Sequence, residues 1–130
     1  RLTPAEIAYI VNDARAPVLI AGHDFFETTA SIRKELAHVK HVVAIGSHPG
    51  WIAYERWLEQ AGDRDPHAPV TQDDVCMQLY TSGTTGLPKG VLTTTVNLFT
   101  LLGNAQAAWR FDRSSVNLVC MPLFHIAGCE

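Results

Sequence analysis

The chain has 130 residues, a formal net charge of −3 at pH 7 and a hydrophobic content of 47%. This composition can fill the core of one domain, and it excludes a disordered tail. The acidic balance excludes the basic surface that binding to a phosphate backbone requires, so we expect no nucleic acid among the partners.

The cysteine spacing and the longest charge-free stretch exclude further classes of protein. Cys76, Cys120 and Cys129 form an odd set without a C-x-x-C spacing, which argues against a disulfide framework and a thiolate zinc site. We expect a reducing, cytoplasmic setting, with Cys76 and Cys120 buried inside strands as small residues. The longest charge-free stretch, residues 90–109, is too rich in Thr, Asn and Gln for a membrane span.

The first helix is marked by a start signal near the beginning of the chain. Thr3 offers a capping hydroxyl, Pro4 suits the first helical position, and Glu6 follows three residues after the cap. Residues 17–21 are apolar and end at a glycine, which predicts a short buried strand.

A second helix-strand pair follows directly. Asp24 and Glu27 repeat the capping pattern, and residues 41–45 form another short apolar run. The apolar side of this helix is predicted to comprise Phe25, Thr29, Ile32 and Leu36. Alternating helices and strands predict an α/β fold with parallel or mixed sheet layers and flanking helices.

The middle of the chain predicts a short helix and a boundary. Residues 53–61 can form a helix, with Trp51, Tyr54 and Trp57 as packing residues. Residues 63–72 are rich in Asp, Arg, Pro and His and predict a linker. We therefore divide the chain into a sheet subdomain (1–62), this linker, and a segment that carries a loop of small residues (73–130).

The last segment is predicted to contain three strands and one helix. The strands are residues 75–80, 90–94 and 116–121, and a loop runs from 81 to 88. The helix follows the second strand and would present one apolar face, formed by Leu98, Leu101, Leu102 and Ala105.

The loop between Tyr80 and Gly90 carries the clearest chemical pattern. Three glycines allow tight turns, four hydroxyl side chains offer hydrogen bonds, and Lys89 adds a positive charge. Such a loop suits a polyphosphate, although the same residue types also form ordinary hairpin turns. The Walker A spacing fails because Pro88 stands where a glycine is needed and Gly90 where a hydroxyl is needed. A dinucleotide-binding G-x-G-x-x-G pattern also fails, at Thr85.

The sequence Tyr80-Thr-Ser-Gly-Thr-Thr-Gly-Leu-Pro-Lys-Gly-Val91 resembles the phosphate-loop motif of the adenylate-forming enzymes at every position. This family includes acyl- and aryl-CoA synthetases, luciferases and the adenylation domains of peptide synthetases. A second motif, Met121-Pro-Leu-Phe-His-Ile-Ala-Gly128, is similar to the acyl-CoA synthetase form. The segments around Thr3 and residues 17–21 also resemble the N-terminal region of the family. Where the family often has a His-Arg pair before an asparagine, this chain has Thr95 and Val96 before Asn97.

The resemblance implies a two-step reaction. A carboxylate attacks the α-phosphorus of ATP, with Mg²⁺ assistance, and the thiol of coenzyme A then displaces AMP from the acyl-adenylate. It implies that Lys89 and His125 are catalytic, with His125 beside the acyl pocket and the adenylate. The implied phosphate-binding set is Thr81, Ser82, Gly83, Thr84, Thr85, Gly86 and Lys89.

The resulting hypothesis is an internal piece, from the N-terminal region, of an acyl-CoA synthetase that acts on fatty acids. The alternatives are an aryl-CoA ligase, a peptide-synthetase-type adenylation domain and, in a different class, a non-catalytic nucleotide-binding or interaction module. The expected partners are a small carboxylic acid and the remainder of the parent chain, and the piece alone is expected to be inactive and able to self-associate.

Other candidate sites are weaker. The pair His38-x-x-His41 lacks a third ligand, so no metal site is predicted. Ser82 has no G-x-S-x-G surroundings, which argues against a serine hydrolase.

Overall fold

A computed structural model describes residues 2–81, 86–116 and 118–121. The chain divides into two compact units. The first comprises Arg1–Ala68 and Tyr80–Gly90, and the second comprises Pro69–Leu79 and Val91–Glu130. The predicted three-part division of the chain stays a prediction. The predicted α/β class is confirmed, because the fold is mixed α/β with both parallel and antiparallel sheets.

The first helix, α1 (Pro4–Asp13), begins as predicted. The Thr3 hydroxyl accepts a hydrogen bond from the Glu6 amide at 3.3 Å, and a Glu6 carboxylate oxygen accepts one from the Thr3 amide at 2.7 Å. The Glu6 carboxylate accepts this bond from the Thr3 amide and a second one from the Thr3 hydroxyl at 2.8 Å, and the two bonds, the backbone one first, hold the pKa of Glu6 below its usual value. The capping box therefore satisfies amides that the first helical turn leaves unpaired.

A three-stranded parallel sheet follows, in the order β1, β2, β3. Its strands are β1 (Val18–Ala21), β2 (His41–Ala44) and β3 (Ile52–Ala53). β1 pairs with β2 in register from Val18 opposite His41 to Ala21 opposite Ala44. The central strand is the most buried, with Val43 and Ala44 fully inaccessible, as parallel sheets covered on both faces require.

One hydrophobic cluster joins α1, β2, the end of the second helix and the segment that follows that helix. Its buried members are Ala8, Val11, Ile32, Leu36, Val39 and Val42. The side chain of Asn12 reinforces this packing, because its amide nitrogen donates to the Glu35 carbonyl at 2.8 Å and its oxygen accepts from the Ala37 amide at 2.8 Å. The end of α1 is thereby fixed to the core of the first unit.

The second helix, α2 (Phe26–Ile32), differs from the prediction in its start, whereas Thr29, Ile32 and Leu36 of the predicted apolar side are buried as expected. A 3₁₀ turn at His23–Phe25 precedes it, so Asp24 lies inside the helical stretch and makes no capping hydrogen bond. The buried aromatic residue is Phe26, whereas the predicted Phe25 is 46% exposed. Phe25 belongs to the 3₁₀ turn, whose three residues per turn differ from helical spacing, so Phe26 and not Phe25 faces the core at the start of this stretch.

The predicted helix over residues 53–61 is shorter in the structure. Ile52 and Ala53 pair with Val43 and Ala44 as strand β3, and α3 spans Tyr54–Glu59. Ile52 and Ala53 form hydrogen bonds with the free edge of β2. A local helix pattern contains no information about this partner. Trp51 packs against the hydrophobic core as predicted, whereas Trp57 is 38% exposed.

The remaining elements are β4 (Val75–Thr81), β5 (Lys89–Thr94) and α4 (Thr95–Trp109). β4 and β5 form a two-stranded sheet, which is antiparallel because the connection is too short for a parallel crossover. Asn97 closes a capping box on Thr94, whose hydroxyl donates to the Asn97 side-chain oxygen at 2.7 Å. Thr95 and Val96, which replace the family's usual pair before Asn97, thus lie in the first turn of a fully capped helix.

Two predictions for the second unit are wrong. Residues 116 and 118–121 are not in a strand, and Cys76 and Cys120 are exposed rather than buried. A strand requires a hydrogen-bonded neighbour as well as an apolar sequence, and Val116 is 95% exposed. In the part of the chain that the structure describes, no helix is long and apolar enough to cross a membrane.

Candidate functional site

The predicted phosphate-binding residues surround the connection between β4 and β5. Thr81 is the last residue of β4 and Lys89 is the first of β5, so pairing of the two strands brings both to one end of this sheet. Gly86 lies between them in the chain. Ser82, Gly83, Thr84, Thr85 and His125 lie outside the described residues, and their roles stay predictions.

Thr81 and Gly86 show two different properties of this connection. The Thr81 side chain is exposed, which leaves it accessible to a ligand. Gly86 has a φ of +135°, a backbone conformation that L side chains rarely adopt, and a Cβ there would meet no atom within 4 Å. Glycine is therefore required at this position by backbone conformation rather than by lack of space.

Lys89 is an exposed cation at the end of the connection. Within residues 2–81, 86–116 and 118–121, no carboxylate lies within ion-pair distance of its ammonium group. Pro88 precedes it and restricts Leu87 toward extended backbone. The lysine charge is thus presented by a locally stiff segment and is not neutralised by a described neighbour.

Tyr80, directly before Thr81, makes a hydrogen bond to a residue distant in sequence. Its hydroxyl donates a hydrogen bond to a carboxylate oxygen of Asp13, the last residue of α1, at 2.6 Å. Burial raises the pKa of Tyr80 to about 12, and the hydrogen bond and negative charge of Asp13 act in the same direction. The hydroxyl therefore remains protonated, and able to donate, throughout the physiological pH range.

This contact was not predicted from the sequence. Tyr80 belongs to the quoted motif but received no role there, and Asp13 looks like an ordinary polar residue at a helix end. The two residues are 67 positions apart, and no periodicity or motif links them. Only the packing of α1 in the first unit brings them together.

A second polar-aromatic cluster lies at the carboxyl edge of the parallel sheet. The His48 ring stacks on Trp51 with a centroid distance of 3.8 Å, and Phe26 meets both rings edge-on. A cleft of about 500 Å³ borders His23, Phe26 and His48. The sequence interpretation treated these histidines as scattered, whereas the fold gathers two of them around one phenylalanine.

The described part of the chain contains no cluster of side chains that could bind a metal ion. Among those residues, no group of three or more His, Cys, Asp or Glu side chains is close enough to hold an ion. Exposed imidazoles contact carboxylates at two places there, His23 with Asp24 at 3.9 Å and His67 with Asp65 at 3.7 Å.

Comparison with known proteins gives relatives along the whole chain. A 3-methylmercaptopropionyl-CoA ligase of Ruegeria lacuscaerulensis is 34% identical over 97% of this chain and 25% of its own length. A long-chain-fatty-acid–CoA ligase of Thermus thermophilus is 35% identical over 97% of this chain and 24% of its own. The chain therefore spans about a quarter of the length of the curated relatives it matches.

A solved structure shows the same fold. The long-chain-fatty-acid-CoA ligase of Archaeoglobus fulgidus superimposes with a TM-score of 0.83 at 26% identity, over 98% of this chain and 25% of that one. The family model described as AMP-binding enzyme matches residues 1–130. The chain accordingly belongs to the AMP-binding, adenylate-forming enzyme family.

Proposed function

We propose that the protein to which this chain belongs is an AMP-forming acid–CoA ligase. In the first step, a carboxylate oxygen of the acid attacks the α-phosphorus of ATP, the bond to the bridging oxygen of the β-phosphate breaks, and pyrophosphate leaves. In the second step, the sulfur of coenzyme A attacks the acyl carbon, the thiol proton is released, and AMP leaves with its oxygen.

One observation carries this proposal. The Tyr80–Gly90 motif begins in β4 and ends in β5, two paired strands, with Thr81 exposed at the end of β4 and Lys89 exposed at the start of β5. Loops that are held by regular elements commonly carry binding residues. The membership of the chain in the AMP-binding family supports the same assignment.

We propose that the loop stabilises the negative charge of the leaving pyrophosphate. Thr81, the hydroxyls and glycine amides of residues 82–86, and Lys89 would contact the β- and γ-phosphates. Preorganised donors and one cation stabilise negative charge that grows as the bond to the β-phosphate breaks. His125 is proposed to lie beside the acyl pocket and the adenylate.

The described residues show no evident ligands for the Mg²⁺ that the resemblance implies. Mg²⁺ in nucleotide sites is commonly bound by one or two carboxylates together with substrate phosphates. The motif from Tyr80 to Gly90 contains no Asp or Glu, and the described residues form no acidic cluster with metal-binding spacing. The motif and the described residues therefore offer no Mg²⁺ site.

We further propose that the acid is a fatty acid and that the protein works in the cytoplasm. The Phe124-His125 form of the second motif and the fatty-acid ligase from Thermus thermophilus support the substrate class. The thiols of Cys76 and Cys120 are free and exposed, which suits a reducing compartment.

Analysis of the nucleotide products tests the proposal. The full-length protein, incubated with ATP, Mg²⁺, coenzyme A and a fatty acid, is expected to release AMP and pyrophosphate in an acid-dependent manner. Omission of the acid is the control. ADP as the sole nucleotide product would remove the adenylate-forming assignment, and nucleotide binding without turnover would favour the non-catalytic module.

A panel of acids tests the substrate class in the same assay. Long-chain fatty acids are expected to give higher kcat/KM than benzoate-type acids or short sulfur-containing acids. A preference for aryl acids would instead support the aryl-CoA ligase alternative.

A further inference from the structure

The hydrogen bond between Tyr80 and Asp13 links two parts of the chain that are distant in sequence. Tyr80 stands one residue before Thr81, the first hydroxyl of the proposed phosphate loop. Asp13 ends α1, and the separation of the hydroxyl and carboxylate oxygens is 2.6 Å. A bond this short to an ionised acceptor belongs to the stronger class of hydrogen bonds.

The acceptor side of this bond is firmly held. Val11 is buried in the hydrophobic cluster, and both polar atoms of the Asn12 side chain bond to backbone at Glu35 and Ala37. Asp13 follows these two residues directly. A group that bonds to Asp13 is therefore fixed to the core of the first unit.

We propose that Tyr80 is a positioning residue whose hydrogen bond to Asp13 fixes the carboxyl end of β4, and with it Thr81, for phosphate binding. The hydroxyl touches neither substrate nor phosphate in this proposal, and it acts through the backbone that it anchors. The kinetic consequence rests on the proposed function, whereas the anchoring itself does not.

Three substitutions dissect the contact. Tyr80→Phe removes the hydroxyl and keeps the ring, Asp13→Ala removes the acceptor, and Asp13→Asn keeps an acceptor oxygen without the charge. Tyr80→Phe and Asp13→Ala are expected to have similar effects, and Asp13→Asn a smaller one. The double variant Tyr80→Phe/Asp13→Ala should be no worse than either single variant, because both remove one interaction.

Matched controls come from residues of the same types. The Tyr54 hydroxyl and the Asp63 carboxylate make no hydrogen bond or ion pair within the described part of the chain. Tyr54→Phe and Asp63→Ala therefore control for the chemistry of each substitution, and both should behave like the unmodified protein.

Hydrogen–deuterium exchange of the full-length protein measures the anchoring without any need for activity. The amide of Thr81 should exchange about three- to tenfold faster in Tyr80→Phe, as expected for loss of one partly exposed hydrogen bond. The amides of β1 and β2 should be unchanged. Unchanged exchange at Thr81, or faster exchange throughout the first unit, would overturn the proposal.

Half-reaction kinetics test the consequence for function. Tyr80→Phe should lower kcat for adenylate formation about three- to tenfold, while thioester formation from a supplied acyl-adenylate and the KM for coenzyme A stay unchanged. A role in folding alone would slow both half-reactions equally and would overturn the proposal. Faster exchange at Thr81 in a protein that forms no adenylate would support the anchoring and contradict the proposed function.

Discussion

Individual residues around the β4–β5 connection differ in what fixes them. Gly86 is required by its backbone conformation, with φ at +135°. Lys89 is fixed mainly by its place at the start of β5 and has no carboxylate partner among the described residues. An exposed lysine that has no carboxylate partner among the described residues contributes little to stability, so we expect Lys89 to act on a ligand. The cost of replacing Lys89 should accordingly appear in kinetics and not in folding.

We expect Lys89→Ala in the full-length protein to slow adenylate formation about a hundredfold, roughly 3 kcal/mol, as for loss of one preorganised charge contact. Thioester formation from a supplied acyl-adenylate should change much less, because pyrophosphate has left before that step. Separate assays of the two half-reactions measure the difference. Lys40→Ala, which removes another exposed lysine, serves as the control. Equal slowing of both half-reactions would indicate a structural role for Lys89.

Among the elements, α1 shows how a local cap and tertiary packing cooperate. Thr3 and Glu6 satisfy the first amides of the helix, and Ala8 and Val11 bury its inner face. The helix then delivers Asp13 to Tyr80. The capping box therefore stabilises the helix that carries Asp13, although the cap and Asp13 lie at opposite ends of α1.

The lowered pKa of Glu6 predicts how the stability of this element depends on pH. A carboxylate whose pKa is depressed by folding stabilises the folded state above its unfolded value, 4.5, and this contribution is lost as pH falls through the folded value. Glu6→Gln should thus lower the free energy of unfolding at pH 7, and the difference from the unmodified protein should shrink as the pH falls below 4.5. Urea denaturation at a series of pH values measures this difference.

Glu27→Gln provides the comparison for that experiment. Glu27 also lies in the first turn of its helix, but it makes no capping hydrogen bond. It shares the helix-dipole interaction of Glu6 without the capping box. A pH dependence of equal size in both variants would show that the dipole, and not the bonds to Thr3, accounts for the effect.

At the scale of the whole molecule, apolar exposure is concentrated outside the parallel sheet. α4 has no buried residue, and the strongly exposed apolar side chains include Leu87, Phe99, Trp109, Val116 and Leu118. Contiguous exposed apolar surface commonly marks a contact with other protein. The relatives are about four times longer than the chain, so further chain is the partner we expect for these side chains.

A polypeptide of these 130 residues alone is expected to show no carboxylate-dependent pyrophosphate exchange. Contacts to the phosphates cannot by themselves orient the α-phosphorus for in-line attack, and orientation supplies much of the rate enhancement. The exposed apolar side chains should also cause self-association, which light scattering can measure. Full-length protein is the positive control, and clear exchange by the short polypeptide would show that the rest of the protein is dispensable for the first step.

Local sequence determined the parts of this protein whose physics is local. The capping box of Thr3 and Glu6, the apolar runs of β1 and β2, and the glycine- and hydroxyl-rich motif after Tyr80 could all be predicted, because each depends on neighbouring residues. The α/β class followed from the alternation of these elements. The motif also indicated the family, which the match over residues 1–130 confirms.

Only the tertiary structure decided the features that depend on a distant partner. Ile52 and Ala53 became a strand because β2 offered them an edge, and residues 116 and 118–121 did not become one despite their apolar pattern. The bond from Tyr80 to Asp13 joins positions 67 residues apart. Hydrogen bonds and burial of this kind depend on which surfaces meet in three dimensions, and the local pattern of a sequence does not contain that information.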